Sequence, residues 1–255
     1  MDIGKAKERL IEIILDKTFK YSEDPPFTLV SGRKSNYYFN CKPTTLDPEG
    51  MNLIGEIVFA MLADADVTAA GGLTLGADPI ANALSVISFQ RGKPIRSFIV
   101  RREAKDHGTM SGIEGNVQPG DRVAILDDVI TTGGSTIAAI VRAKGAGLVI
   151  DRVIALIDRE EESGRANIEA HVPRVDAVLT RTEIMSRYRG KEIGSLKTVR
   201  IGNDDETNLT GTHDRDVPVL YCFTDLVSRA GGIGLPVRQV PAVKILQPHD
   251  PRTLS

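Results

Sequence analysis

The sequence predicts an α/β fold with a mainly parallel central sheet flanked by helices, and two observations lead there. Strand-like apolar runs alternate with helical segments from about Val67 to Ile157, the rhythm of consecutive βαβ units. Two of these runs, VAIL from Val123 and VIALI from Val153, lack polar alternation, as central strands covered on both faces do.

Taken in order, the elements support that reading. In MDIGKAKERLIEIILDKTF, Ile3, Leu10, Ile11, Ile14 and Leu15 recur between charges, which predicts an amphipathic helix and not a secretory signal. Short β-rich pieces follow at Phe27 to Val30 and Tyr37 to Phe39, and then Asp47 and Pro48 are suited to cap and open a helix reaching about Leu62. From Val67 the pattern runs strand, glycine-rich turn, helix (Pro79 to Gln90), strand (Ile95 to Val100) and a long polar loop. It continues with a strand (Val123 to Leu126), a helix (Ser135 to Lys144) that Gly145 would end, and a strand (Val153 to Ile157). Beyond Ser186 the rhythm breaks into prolines, the cluster AGGIG and short pieces such as VPVLYCF. Residues 1–185 are therefore expected to form one domain, and 186–255 an extension of unknown role.

Composition narrows the function classes. The formal charge of -2, with both signs spread along the 255 residues, offers no nucleic-acid stripe and no membrane-seeking face. No apolar run is long enough to span a bilayer. Cys41 and Cys222 lack the spacing of a metal knuckle or redox pair, so a reducing, cytoplasmic compartment is expected. His171, His213 and His249 have no ligand partners at recognisable spacing. Small charged substrates remain the natural partners.

Residues 123–136, VAILDDVITTGGST, carry the strongest chemical signal. A buried strand delivers Asp127 and Asp128, and a turn of small residues then opens a helix. Gly133 and Gly134 let backbone amides approach an anion, Thr131, Thr132 and Ser135 add hydroxyl donors, and the helix start adds its positive dipole end. That is a cradle for a monophosphate. Carboxylates facing the phosphate would repel it, so the acidic pair is better suited to ribose hydroxyls or to a hydrated metal. No lysine follows the glycines, and GxGxxG is absent from this segment, which removes the Walker and dinucleotide readings. The plain alternative is a strand end followed by a tight turn.

Between Val100 and Val123 the connection is longer than usual and opens with RREAKDHG, which suits a lid. Arg101, Arg102, Lys105 and His107 are four potential donors to a departing polyanion. Pairing of these cations with Glu103 and Asp106 in a solvated loop is the alternative.

The strand, acidic pair and threonine-glycine loop resemble the phosphoribosyltransferase family over about residues 1–185. RREAKDHG is similar to the catalytic loop of the orotate phosphoribosyltransferases. FTLVSGRKSNYYFNCKPTTLDPEG, GGLTLGADPI and ALIDREE resemble that family's base-side hairpin, diphosphate loop and orotate-contacting strand. The resemblance implies a phosphoribosyltransferase fold with a small N-terminal base-side subdomain. It also implies transfer of ribose 5-phosphate from phosphoribosyl diphosphate to orotate with magnesium, giving orotidine monophosphate in pyrimidine synthesis. Carried over, the diphosphate substrate falls to Arg101, Arg102, Lys105, His107 and Asp127, Asp128, Val129, Ile130, Thr131, Thr132, Gly133, Gly134 and Ser135. Lys105, His107, Asp127 and Asp128 are the implied catalytic residues, and Thr131 and Arg159 the implied orotate contacts. Magnesium is expected to be held mainly by substrate and water, and a homodimer would share the loop 101–115 across subunits. Tyr38 and Phe39 could offer ring surface to the base or simply pack in the core. Some family members have lysines where Val30 and Gly76 stand here. A phosphoribosyltransferase for another base, or a regulator that binds the sugar diphosphate without turnover, stays open at this point.

Overall fold

The computed structural model describes residues 1–24, 26–28, 34–102 and 112–195. The chain divides into two units, Met1–Lys191 and Glu192–Ser255. Only the first is described nearly throughout, so the expected extension 186–255 lies mostly outside the described residues. The 185/186 boundary falls within one helix, α7 (Arg181–Ser195).

Helix α1 (Ile3–Lys17) is capped by Asp2, whose carboxylate accepts from the amides of Gly4 and Lys5. Its apolar stripe buries Leu10, Ile13 and Ile14. Strands β1 (Phe19–Tyr21) and β4 (Tyr37–Phe39) pair antiparallel, as do β2 (Phe27–Thr28) and β3 (Lys34–Ser35). The short helix α2 (Lys42–Thr45) leads into α3 (Pro48–Met61), where Asp47 accepts from the amides of Glu49 and Gly50 at 3.0 and 3.1 Å. Asp47 and Pro48 thus play the helix-opening parts expected of them.

The main body is a six-stranded sheet, counted among the described residues, built from β5 (Ala69–Leu73), β6 (Arg96–Val100), β7 (Ile113–Gly115), β8 (Arg122–Ile130), β9 (Val149–Asp158) and β10 (Val175–Thr180). Their order is β10-β9-β8-β5-β6-β7, parallel throughout except for β7 at the edge. Helices α4 (Asp78–Gln90), α5 (Gly134–Gly145) and α6 (Gly164–Glu169) connect the strands. One face packs Ala124, Leu126, Ile154 and Val178 with α1, α3 and α4. The other packs Val123, Ile125 and Val153 with Ile140, Ala143 and Ile168 from α5 and α6. The VAIL run is apolar on both sides because it is covered on both sides.

Several elements depart from the sequence expectation, among them β9, which begins at Val149 and not at Val153, and the edge strand β7 within the expected loop. The strand expected to stop at Leu126 runs to Ile130, because its pairing with β9 continues through Asp127↔Ala155, Val129↔Ile157 and Ile130↔Asp158. The acidic pair therefore lies within the strand. Gly145 is the last residue of α5 and does not end it; Gly147 takes the left-handed conformation (φ 79°) that turns the chain into β9. Among the described residues no helix is long and apolar enough to cross a membrane.

Ile125 is fully buried at the centre of the sheet. Ile125→Ala should lower stability by about 2–5 kcal/mol, read as a fall in the urea midpoint at unchanged m-value. A loss under about 1 kcal/mol would contradict its central position.

Candidate active site

Strands β5, β8 and β9 run parallel, so their carboxyl ends gather at one edge, where open α/β sheets bind ligands. The β8 end turns through Thr131 and Thr132 into α5, with Gly133 as the N-cap at φ 82°. That left-handed conformation is easy only for glycine. A Cβ at Gly133 would also stand 2.9 Å from Gly164 O. Gly164 itself abuts the turn, since a Cβ there would lie 2.1 Å from Thr131 O. The amide of Gly134 donates to Thr132 Oγ1 at 3.3 Å, and Asn167 Nδ2 donates to Thr132 O at 3.0 Å. The turn is thus held from behind by α6, while Thr132, Gly134 and Ser135 remain exposed at the start of α5.

The two aspartates differ in surroundings. Asp127 is buried; Thr136 Oγ1 donates to its Oδ2 at 2.5 Å and the Asp128 amide to its Oδ1 at 3.0 Å. Burial pushes its carboxyl up from 3.8 to about 7; the Thr136 hydrogen bond opposes this rise and the Asp128 charge adds to it. Asp128 is half-buried, accepts from the Val129 amide at 3.0 Å, and faces a cavity of about 280 Å³. Lys42, Thr74, Leu75, Gly76 and Arg102 line the rest of that cavity. Among the described residues no cluster of three or more His, Cys, Asp or Glu could enclose a metal. A single open carboxylate beside an anion cavity does fit magnesium, which keeps its waters and binds through one or two carboxylates plus substrate phosphates.

The candidate loop cations are placed unequally. Arg102 lines the cavity and its Nε donates to Thr74 O at 3.1 Å. Arg101 instead pairs with Glu114 on β7 at 3.1 Å. Arg142, on α5, donates to the backbone carbonyls of both Arg101 and Arg102. Lys105, His107 and Val30 lie outside the described residues.

At the end of β9 the Arg159 amide donates to Ile130 O at 3.1 Å, so the two strand ends are joined directly. The Arg159 guanidinium is buried, pairs with Glu161 at 2.9 Å, donates to Ser35 Oγ at 3.2 Å and lies 5.7 Å from the Phe39 ring centre. Its Nε is buried without a hydrogen-bond acceptor among the described residues. Glu160, Glu162 and Ser163, just beyond, all have φ of 53–56°, an uncommon conformation outside glycine that clusters at functional loops. Phe39 also packs on Phe19 at 5.1 Å, and Tyr38 on Phe27 at 5.7 Å, so both rings have core or hairpin partners.

No family model matches the chain. A curated orotate phosphoribosyltransferase from Nostoc sp. is 40% identical over 195 residues, which is 76% of this chain and 91% of that protein. The chain belongs to the orotate phosphoribosyltransferase family. The Aquifex aeolicus orotate phosphoribosyltransferase is 45% identical over 163 residues, 64% of this chain and 88% of its own length. The crystal structure of Mycobacterium tuberculosis orotate phosphoribosyltransferase in complex with 5-phospho-α-D-ribosyl 1-diphosphate superposes with a TM-score of 0.57 at 28% identity. That match covers 71% of this chain and 92% of that one.

Within this family member, sequence reasoning missed Thr136, Ser35, Glu161, Lys42 and Arg142. Thr136 follows Asp127 by a strand end and a turn, and the Ser35 contact to Arg159 spans 124 positions. Thr136 closes the VAILDDVITTGGST run beside Ser135, and Glu161 follows Arg159 in ALIDREE, but nothing in either run marks the contact each one makes.

The raised Asp127 carboxyl has a pH consequence. Its folded-state pKa of about 7 lies above the ordinary 3.8, so the folded chain holds the proton more tightly than the unfolded one. The stability this supplies is full below the ordinary value and is lost as pH rises through about 7. Between pH 5 and 8 the melting temperature of Asp127→Asn should therefore improve relative to wild type. A difference independent of pH would mean that Asp127 titrates as an ordinary aspartate.

Proposed function

We propose that this chain is an orotate phosphoribosyltransferase, transferring ribose 5-phosphate from phosphoribosyl diphosphate to orotate and releasing diphosphate. The observation that carries the reading is the buried Arg159 beside the phosphate cradle. Its Nε lacks an acceptor, and its backbone is bonded to the end of the cradle strand. A buried guanidinium with an unused donor suits a planar, acidic base, because a carboxylate can accept paired hydrogen bonds from it. A neutral purine offers no such charge.

In this reading the Gly133–Ser135 amides and hydroxyls, with Thr131 and Thr132, hold the 5-phosphate at the start of α5. Val129 and Ile130 contribute backbone at the strand end. Asp128 accepts from ribose hydroxyls in the cavity, and Asp127 fixes the strand end from behind through Thr136. Arg102 approaches the diphosphate. Lys105 and His107 would stabilise or protonate that leaving group, with Arg101 at the root of the same loop. Magnesium, when bound, neutralises diphosphate charge. As the C1–oxygen bond breaks, its electron pair leaves on the diphosphate, and a ring nitrogen of orotate bonds to C1 from the opposite face. Thr131 and Arg159 position that nitrogen. We further take residues 1–185 as the catalytic domain and 186–255 as an extension, and the enzyme as a cytoplasmic homodimer sharing loop 101–115.

The test is a spectrophotometric assay with orotate, phosphoribosyl diphosphate and magnesium, a chelator control, and hypoxanthine and uracil as rival bases. Magnesium-dependent loss of orotate alone is the expected result. Turnover of another base would transfer the reading to that base, and diphosphate binding with no turnover would favour a regulator. Arg159→Met should raise the KM for orotate at least about tenfold, as loss of a charge-assisted hydrogen bond would, with little change for phosphoribosyl diphosphate. Lys105→Ala should lower kcat by about 100-fold or more while substrate KM values move much less; an unchanged rate would remove Lys105 from leaving-group chemistry.

A further inference from the structure

We infer that Lys42 is a diphosphate-binding residue, supplying from the N-terminal region the cation that position 76 does not. The inference rests on reading the cavity at Asp128 as the diphosphate end of the site.

Lys42, Arg102 and Asp128 are the charged residues among the described lining of that cavity, with Thr74, Leu75 and Gly76 between them. Asp128 brings a negative charge into the space that a phosphorylated, polyanionic group must enter, so cations are needed to offset both. Gly76 cannot provide one as the backbone stands. A Cβ there would lie 2.5 Å from Asp128 Oδ1 and 2.8 Å from its Cγ, far inside van der Waals contact. The chain therefore runs bare past the carboxylate, and a positive charge has to come from another side of the cavity.

Lys42 meets that requirement. It is exposed, and among the described residues its ammonium has no ion pair. By contrast, Lys17 pairs with Asp47, Lys93 bonds three carbonyls of the α3 exit, and Lys144 bonds His171 O. Its backbone is firmly placed, although its head has no ion partner among the described residues. Cys41 beside it is 2% exposed, and Thr44 and Thr45 are buried. Thr44 Oγ1 shares a 2.6 Å hydrogen bond with Thr18 Oγ1, and Thr44 O sits where a Cβ on Gly50 would be, 2.1 Å away. An anchored backbone thus brings the ammonium to the cavity, and only the rotamers of the side chain remain to be ordered on association.

Isothermal titration of magnesium diphosphate into the full chain, beside orotidine monophosphate as a ligand without the diphosphate, tests this directly. Lys42→Ala should weaken magnesium diphosphate about tenfold or more and orotidine monophosphate less than about twofold; Lys42→Arg should restore diphosphate affinity to within about threefold of wild type. Unchanged diphosphate affinity in Lys42→Ala would overturn the assignment, as would an equal loss for both ligands. If wild type binds diphosphate through Lys42 yet turns over no orotate, the proposed reaction fails and this inference stands. If orotate is consumed while Lys42→Ala binds diphosphate normally, the reverse holds.

Discussion

Parallel pairing of β8 with β9 continues past Leu126 to Ile130↔Asp158, and the candidate site depends on it. Because both strands end at the same level, the Thr131–Gly133 turn that follows one and the arginine that follows the other emerge side by side. The Arg159 amide bonded to Ile130 O closes the junction. Had β8 stopped at Leu126, the aspartates would sit on a free turn with side chains able to rotate away. Inside a paired strand they alternate by the pleat, so that Asp127 goes inward to Thr136 and Asp128 outward to the cavity. One ladder thus decides which carboxylate is buried against α5 and which lines the cavity.

The supports of this edge come from widely separated parts of the chain. The β8–α5 turn leans on α6 at Gly164, the loop leaving β6 is gripped by Arg142 from α5, and Arg159 is steadied by Ser35 from the N-terminal hairpin. Each support is a close backbone approach or a directional hydrogen bond, and both are sensitive to small displacements. This edge consequently draws its contacts from the N-terminal elements, the sheet and α6 together.

Much of this was legible in the residues themselves. The βαβ rhythm, the Asp47–Pro48 helix start and the strand–turn–helix of VAILDDVITTGGST all rest on local chemistry, and each lies close to where it was expected. The extent of β8 was not legible, because aspartates have low strand propensity and only the partner strand shows that pairing carries on past Leu126. The different surroundings of Asp127 and Asp128 could not be read either, since two identical neighbours differ only once the pleat assigns them to opposite faces. The antiparallel edge strand β7 hides within a charged loop because its three residues, Ile113–Gly115, are too few to show a period. Lys42 sits unmarked within the hairpin run; its interest arises from a cavity whose walls come from residues 42, 74–76, 102 and 128.

The short link between Arg159 and α6 has a final implication. Three non-glycine residues there hold left-handed backbone, and the link ends on Gly164, which touches the carbonyl of Thr131. Its length is therefore gauged at both ends, by Arg159 and by the β8–α5 turn. Insertions or deletions in it would shift one against the other. Redesign of this edge has to exchange side chains at constant loop length, keeping the spacing between arginine and turn as an inherited ruler.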